Sequence, residues 1–194
     1  MTIILIYDII VGEVKKMKTK TIILAGIFAA VIAVFSVITF KIGPVPVTLS
    51  TFAILLSAII LGGTKSTLAV AIYILCGACG LPVFSGFRGG ISVLFGATGG
   101  YILSYVLMAL LVGFAAGRTK SLSPLMRYLA LFLACAAALF LCYALGTLQY
   151  VLITGTELSK ALWACVYPFI PFDIIKAAAA IAIGLSVKKR LKFR

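Results

Sequence analysis

Long apolar stretches alternate along the chain with short segments rich in Lys, Gly or Pro. Six stretches stand out, at about Thr21–Phe40, Leu49–Leu61, Ser66–Leu81, Ile91–Ala116, Leu125–Ile153 and Pro171–Val187. A helix needs ~20 apolar residues to cross a bilayer core of ~30 Å, and most of these stretches approach or exceed that length. The second and third are short. They predict helices that tilt little or run into irregular backbone, which is tolerated at membrane depth only under protein or beside a water-filled cavity. The breaks are chemically plain. Pro44 and Pro46 interrupt Gly43–Thr48, Gly62-Gly63 closes the second stretch, and Pro82 precedes the Gly-rich segment Val83–Gly90. A basic linker, Arg118–Ser123, a polar stretch, Thr154–Lys160, and an aromatic segment broken by Pro168 complete the set. The pattern predicts an all-α integral membrane protein, a bundle of six transmembrane helices over residues 19–194. Residues 1–18 form an N-terminal extension too short to span and without a small-residue cleavage site, so they are an interfacial segment or an over-long start ahead of Met17.

Composition supports this reading. Apolar residues make up 64% of the 194, and mean hydropathy is +1.28, against ~45–50% apolar in soluble domains. Six spans leave no length for a soluble domain or a nucleotide-binding engine. The 17 Lys+Arg against 4 Asp+Glu, with no His, give a net charge of +13. In a soluble chain that excess would suggest nucleic acid. Here it fits topology and anionic headgroups, and no nucleic-acid partner is expected. Thirteen of the basic residues fall on one side of six alternating spans: Lys15, Lys16, Lys18, Lys20, Lys65, Arg118, Lys120, Arg127 and the five of the tail from Lys188 to Arg194. Lys41, Arg88 and Lys160 fall on the other. The positive-inside rule then places both termini in the cytoplasm and turns the Pro-rich and Gly-rich loops outward.

Charge also marks candidate chemistry. Asp173 and Lys176 lie inside the last stretch, where an ionised group costs ~2.5–3.5 kcal/mol and suggests function. Three residues apart, they share a helix face and can neutralise each other. With Pro171 as the first helical residue, Asp173 also suits the helix dipole. Lys176 does not, and Arg88 competes for the same acid. Two cations for one carboxylate leave room for a ligand carboxylate. Gly86, Gly89 and Gly90 around Arg88 let backbone approach a ligand, although a solvated loop arginine is the plain alternative. Gln149 and Tyr150 sit at the same outer end. Ala25, Ala29 and Ala33 form a small-residue stripe, suited to internal packing or to docking on another membrane protein. The five cysteines lie in apolar surroundings and read as buried small hydrophobes; Cys76 and Cys79 have CxxC spacing but no second pair and no His. No metal or cofactor is expected. There is no phosphate-binding loop and no hydrolase or metalloprotease motif, so the chain does not read as an enzyme.

Three segments together carry a family resemblance: Gly43–Phe52 (GPVPVTLSTF), Gly80–Gly90 with Leu94–Tyr101 (GLPVFSGFRGG and LFGATGGY), and Phe169–Lys176 (FIPFDIIK). Their joint occurrence in this order resembles the BioY family, biotin-specific S components of energy-coupling factor transporters. The resemblance covers the chain from Met17 onward. It implies high-affinity capture of biotin at the outer face of a bacterial cell membrane. It also implies delivery to a transmembrane coupling subunit driven by two cytoplasmic ATPases. Ala25, Ala29 and Ala33 then match the family's docking pattern, and Pro44, Val45, Pro46, Val47 and Thr48 its gating loop. Asp173, Lys176 and Arg88 match its binding motif, with Phe84, Tyr150 and Gln149 beside them and Phe87, Trp163 and Tyr167 as further candidates to cover the ring. Ser50 and Ala97 depart from the usual Gln and Pro. An S component for another vitamin, a stand-alone facilitator or secondary transporter, and a membrane enzyme are the competing readings.

Overall fold

The computed structural model describes residues 19–40 and 45–191. Helix α1 spans Thr19–Val37, followed by strands β1 (Thr39–Phe40) and β2 (Val47–Thr48). Then come α2 (Ser50–Leu61), α3 (Gly63–Ala78), a single turn α4 (Ile91–Leu94) and α5 (Gly99–Arg118). A 3₁₀ turn, Thr119–Ser121, leads to α6 (Pro124–Thr154), α7 (Leu158–Cys165) and α8 (Ile170–Leu191). The fold is all-α apart from one small hairpin. By length and apolarity, four helical segments can cross a membrane: Thr19–Val37, Gly99–Ser121, Pro124–Thr154 and Ile170–Arg190. Helices α2 and α3 are shorter apolar helices.

The short helix α2 is the centre of the bundle. It touches α1, α3, α5 and α8, and most of it is buried, from Ser50 and Thr51 through Ile54, Leu55 and Ala58 to Ile60. A helix apolar on every side belongs in an interior, which explains how a 12-residue helix can serve here: its ends meet protein rather than lipid. The longer helices surround it and turn one stripe inward. On α1 that stripe is Ala25, Ala29, Ile32 and Ser36. On α6 it runs from Leu131 through Cys135, Leu139 and Cys142 to Tyr150, while Leu133, Phe140 and Leu152 stay exposed on the opposite side.

Two expected spans differ from the observed helices. The first helix stops at Val37, and Thr39–Phe40 instead pairs antiparallel with Val47–Thr48, in the register Thr39↔Thr48 and Phe40↔Val47. Ile38 and Thr39 are β-branched and favour extended backbone, and Val45 is pushed the same way by Pro46. The expected fourth span, from Ile91, is broken. The chain turns at Phe95–Thr98 before α5 begins. A Cβ on Gly99 would lie 1.7 Å from the Leu94 carbonyl oxygen, so only glycine allows the turn to close. Gly100 sits against α6, where a Cβ would meet the Leu145 carbonyl at 2.5 Å. The α5–α6 contact therefore depends on backbone-to-backbone approach, as in small-residue membrane crossings.

Candidate functional site

The first two turns of α8 place Asp173 and Lys176 on one inward face. The helix begins at Ile170, one residue before Pro171, and the Asp173 amide already donates to the Phe169 carbonyl at 2.9 Å. Both side chains are buried, at 4% and 8% exposure. Lys176 Nζ donates to Asp173 Oδ1 at 2.9 Å, to Thr51 Oγ1 at 3.3 Å and to the Thr48 carbonyl at 2.7 Å. An ammonium has three donors, so this one is fully engaged. The Thr51 hydroxyl donates to Asp173 Oδ1 at 3.1 Å, and Tyr143 OH to Oδ2 at 2.6 Å. The pair thus joins α8 to the hairpin, α2 and α6. Of the two cations expected to share one carboxylate, Lys176 is the one paired with it. Excess charge lies instead at Arg88, whose Nε donates only to the Ser85 carbonyl at 3.1 Å. Among the described residues, the ion pairs are Asp173–Lys176 and Glu157–Lys160, and neither includes Arg88.

These groups line one narrow cavity of about 60 Å³. That is well below the ~300–1,000 Å³ of small-molecule sites, so the lining must open to admit a ligand of that size. Asp173, Lys176 and Thr51 form one wall, and Tyr73, Tyr101, Tyr105 and Tyr143 the sides. Val45, Pro46 and Thr48 cover it from the hairpin, and Phe84, Ser85 and Arg88 from the loop after α3. Hydroxyl pairs hold the walls: Ser36 with Tyr73 at 2.7 Å, and Ser50 with Tyr105 at 2.9 Å. Ser50 also bonds the Thr48 hydroxyl, so the cover is tied to α2 and to Lys176 at once.

Local backbone positions the Arg88 loop. The Phe84 amide donates to the Arg88 carbonyl at 2.9 Å, and between them Gly86 (φ 72°) and Phe87 (φ 57°) turn left-handed. That conformation is costly for a phenylalanine; here it brings Arg88 back to the cavity mouth. The Phe84 ring packs edge-on to Tyr73, centroids 5.6 Å apart. A Cβ on Gly77 would lie 2.1 Å from this ring, so glycine at 77 makes its seat.

The other expected site residues are dispersed. Val47 is buried but does not line the cavity, and Pro44 lies outside the described residues. Tyr150 is buried in the core and does not line the cavity. Gln149 is a structural clamp. Its Nε2 donates to the Leu94 and Gly96 carbonyls, both at 2.8 Å, and so fixes the turn before α5. Phe87, Trp163 and Tyr167 are exposed, the last two packed on each other. Ala25 and Ala29 are buried inside the bundle and Ala33 is half-buried, so much of the alanine stripe packs internally. Cys79 is exposed and Cys76 half-buried, unlike the other three cysteines; CxxC here spans the end of α3, where the helix leaves the core. Thr51, Tyr143, Tyr105 and Tyr73 are additions. Their signal was a hydroxyl inside an apolar helix, which is too common to single out.

The BioY family model matches residues 13–193. The chain belongs to the BioY family. It is 42% identical over 170 residues to the biotin transporter BioY of Thermotoga maritima, covering 88% of this chain and 96% of that protein. It is 36% identical over 168 residues to a probable biotin transporter BioY of Pyrococcus horikoshii, covering 87% and 96%. Its fold is similar to the crystal structure of an S-component for biotin from an ECF-type ABC transporter, with a TM-score of 0.77 at 24% identity, over 92% of this chain and all of that one. As a BioY member with several long apolar helices, the chain is a multi-pass membrane protein.

Proposed function

We propose that this chain captures biotin at the outer face of the bacterial plasma membrane, as the substrate-specific subunit of an energy-coupling factor importer. The observation that carries the reading is the charge balance of the cavity. Asp173 and Lys176 cancel, and Arg88 remains at the mouth without a carboxylate partner among the described residues. Such a cavity suits a ligand with one carboxylate and a neutral polar ring. Biotin has a carboxylate tail and a ureido group with two N–H donors and one carbonyl. Arg88 then takes the tail through a charge-assisted pair. Asp173 accepts a ureido N–H, and Lys176 or a tyrosine hydroxyl donates to the ureido oxygen. The hairpin over Lys176 acts as the gate, because a ligand that shares Lys176 also tightens or loosens its bond to Thr48.

Six membrane crossings, with α2 and α3 as the short ones and both termini cytoplasmic, agree with the side bias of the basic residues. The partners are a transmembrane coupling subunit and two ATPases, since this chain has no phosphate-binding loop. Docking on α1 falls to its outward side, where Gly26 and Ala30 are exposed beside the buried alanines.

Titration of the purified chain with biotin and biotin methyl ester tests the reading. Biotin should bind in the nanomolar range without ATP, and the ester more weakly. Arg88→Ala should weaken biotin and leave the ester nearly unchanged. Another vitamin binding in place of biotin would move the chain to a sister specificity, and uptake by vesicles holding this chain alone would favour a stand-alone transporter.

A further inference from the structure

At the opposite end of the bundle from the cavity, three cations lie on three elements, the 3₁₀ turn and α6 in contact with each other and α6 with α8. Lys120 sits on the 3₁₀ turn, Arg127 in the first turn of α6 and Lys188 near the end of α8. Lys188 is half-buried and donates Nζ to the Ile59 carbonyl at 2.8 Å, near the end of α2. The unpaired carbonyls of a helix C-terminus favour one cation there. They do not favour three, and Lys120 and Arg127 lie close enough to repel the Lys188 charge. Arg127 Nε is buried without a hydrogen-bond partner. Arg127 also sits at the positive end of the 31-residue helix α6, where a cation is disfavoured. Among the described residues, the ion pairs lie at the other end of the molecule, and no described carboxylate pairs with this group.

We propose that this junction binds the phosphate headgroup of an anionic phospholipid. A phosphate satisfies three cations and the buried Arg127 donor together, and basic pockets between membrane helices take such headgroups. The lipid source, rather than a soluble phosphate, follows from the surroundings. Leu122, Leu125, Met126 and Leu129 are all exposed beside the cations. Leu125 and Leu129 share a face of α6 one turn apart, so acyl chains attached to the headgroup cover them.

The test is native mass spectrometry of the full chain in detergent, with phosphatidylglycerol and phosphatidylcholine of matched acyl chains. Phosphatidylglycerol should be retained in preference. Lys120→Gln, on an exposed turn and without any internal bond to lose, and Arg127→Gln should each weaken its retention about fivefold, with phosphatidylcholine unaffected. Lys189→Gln, an exposed neighbour outside the cluster, should change it less than about twofold. Arg127→Lys, which keeps the charge and loses the buried donor, should fall between. Equal retention of the two lipids by the unmodified chain would overturn the site. Equal losses in Lys189→Gln and Arg127→Gln would also do so, since they mark diffuse attraction. Inorganic phosphate raising thermal stability as much as phosphatidylglycerol would overturn the lipid source.

Discussion

At the start of α8, Asp173 and Lys176 lie 2.9 Å apart and share every remaining bond with Thr48, Thr51 and Tyr143. At its end, Lys188 faces Lys120 and Arg127 with the Ile59 carbonyl to offset them. The first group is buried and the second only partly so, with Lys120 exposed, and their chemistry diverges. Opposite charges one turn apart cancel inside the protein, so a ligand meets a neutral, hydrogen-bonding surface. Like charges on three elements have no carboxylate paired with them among the described residues. One end therefore offers a neutral, hydrogen-bonding pair beside the exposed Arg88, and the other a group of cations.

The largest effect comes from breaking the balanced end. Lys176→Ala leaves Asp173 buried and unpaired, which should cost about 3–5 kcal/mol of stability and abolish biotin binding, read by thermal unfolding and titration. The double variant Asp173→Asn/Lys176→Met, which removes both charges, should recover most of the stability and none of the binding. If it binds biotin normally, the pair is structural only. Arg88→Ala comes next. It should lose about 1.5–3 kcal/mol of biotin affinity, the scale of a charge-assisted hydrogen bond, with stability unchanged because the side chain is exposed. Tyr143→Phe removes one donor from Asp173 and should cost about 1–3 kcal/mol in stability, while the ion pair itself persists. Gln149→Leu should have the smallest effect on binding. It frees the Leu94 and Gly96 carbonyls and destabilises the α4–α5 turn by about 1–3 kcal/mol, but touches no ligand. Salt separates the two ends in one experiment. Raising ionic strength should weaken lipid retention at Lys120 and Arg127 and leave the buried pair unmoved.

Much of the helical pattern was legible because lipid imposes one rule along whole segments: an apolar run of sufficient length crosses. The break at Phe95–Thr98 was not, because Gly99 and Gly100 look like any small residues in such a run. The bond that holds the break comes from Gln149, 55 residues from Leu94. The hairpin was hidden for the same reason, since Thr39 and Thr48 meet only once the chain has turned back. Asp173, Lys176 and Arg88 were legible because charges are rare in or beside apolar spans. Thr51 and Tyr143 were not, because a hydroxyl in a membrane helix is tolerated with or without a role. The alanine stripe shows the limit in another way. Spacing reveals that Ala25 and Ala29 share a face, but burial decides that the face turns inward.

Amino-acid order alone settled that the protein lives in lipid, where most of its helices run, and which few charges stand inside or beside apolar spans. Those are additive properties of single residues and local runs. Which cation is satisfied, and which waits for a partner, depended on the fold. Lys176 found its three acceptors on α8, α2 and β2, while Lys120, Arg127 and Lys188 found mainly each other. Electrostatic balance is a property of neighbours in space, and only packing chooses the neighbours.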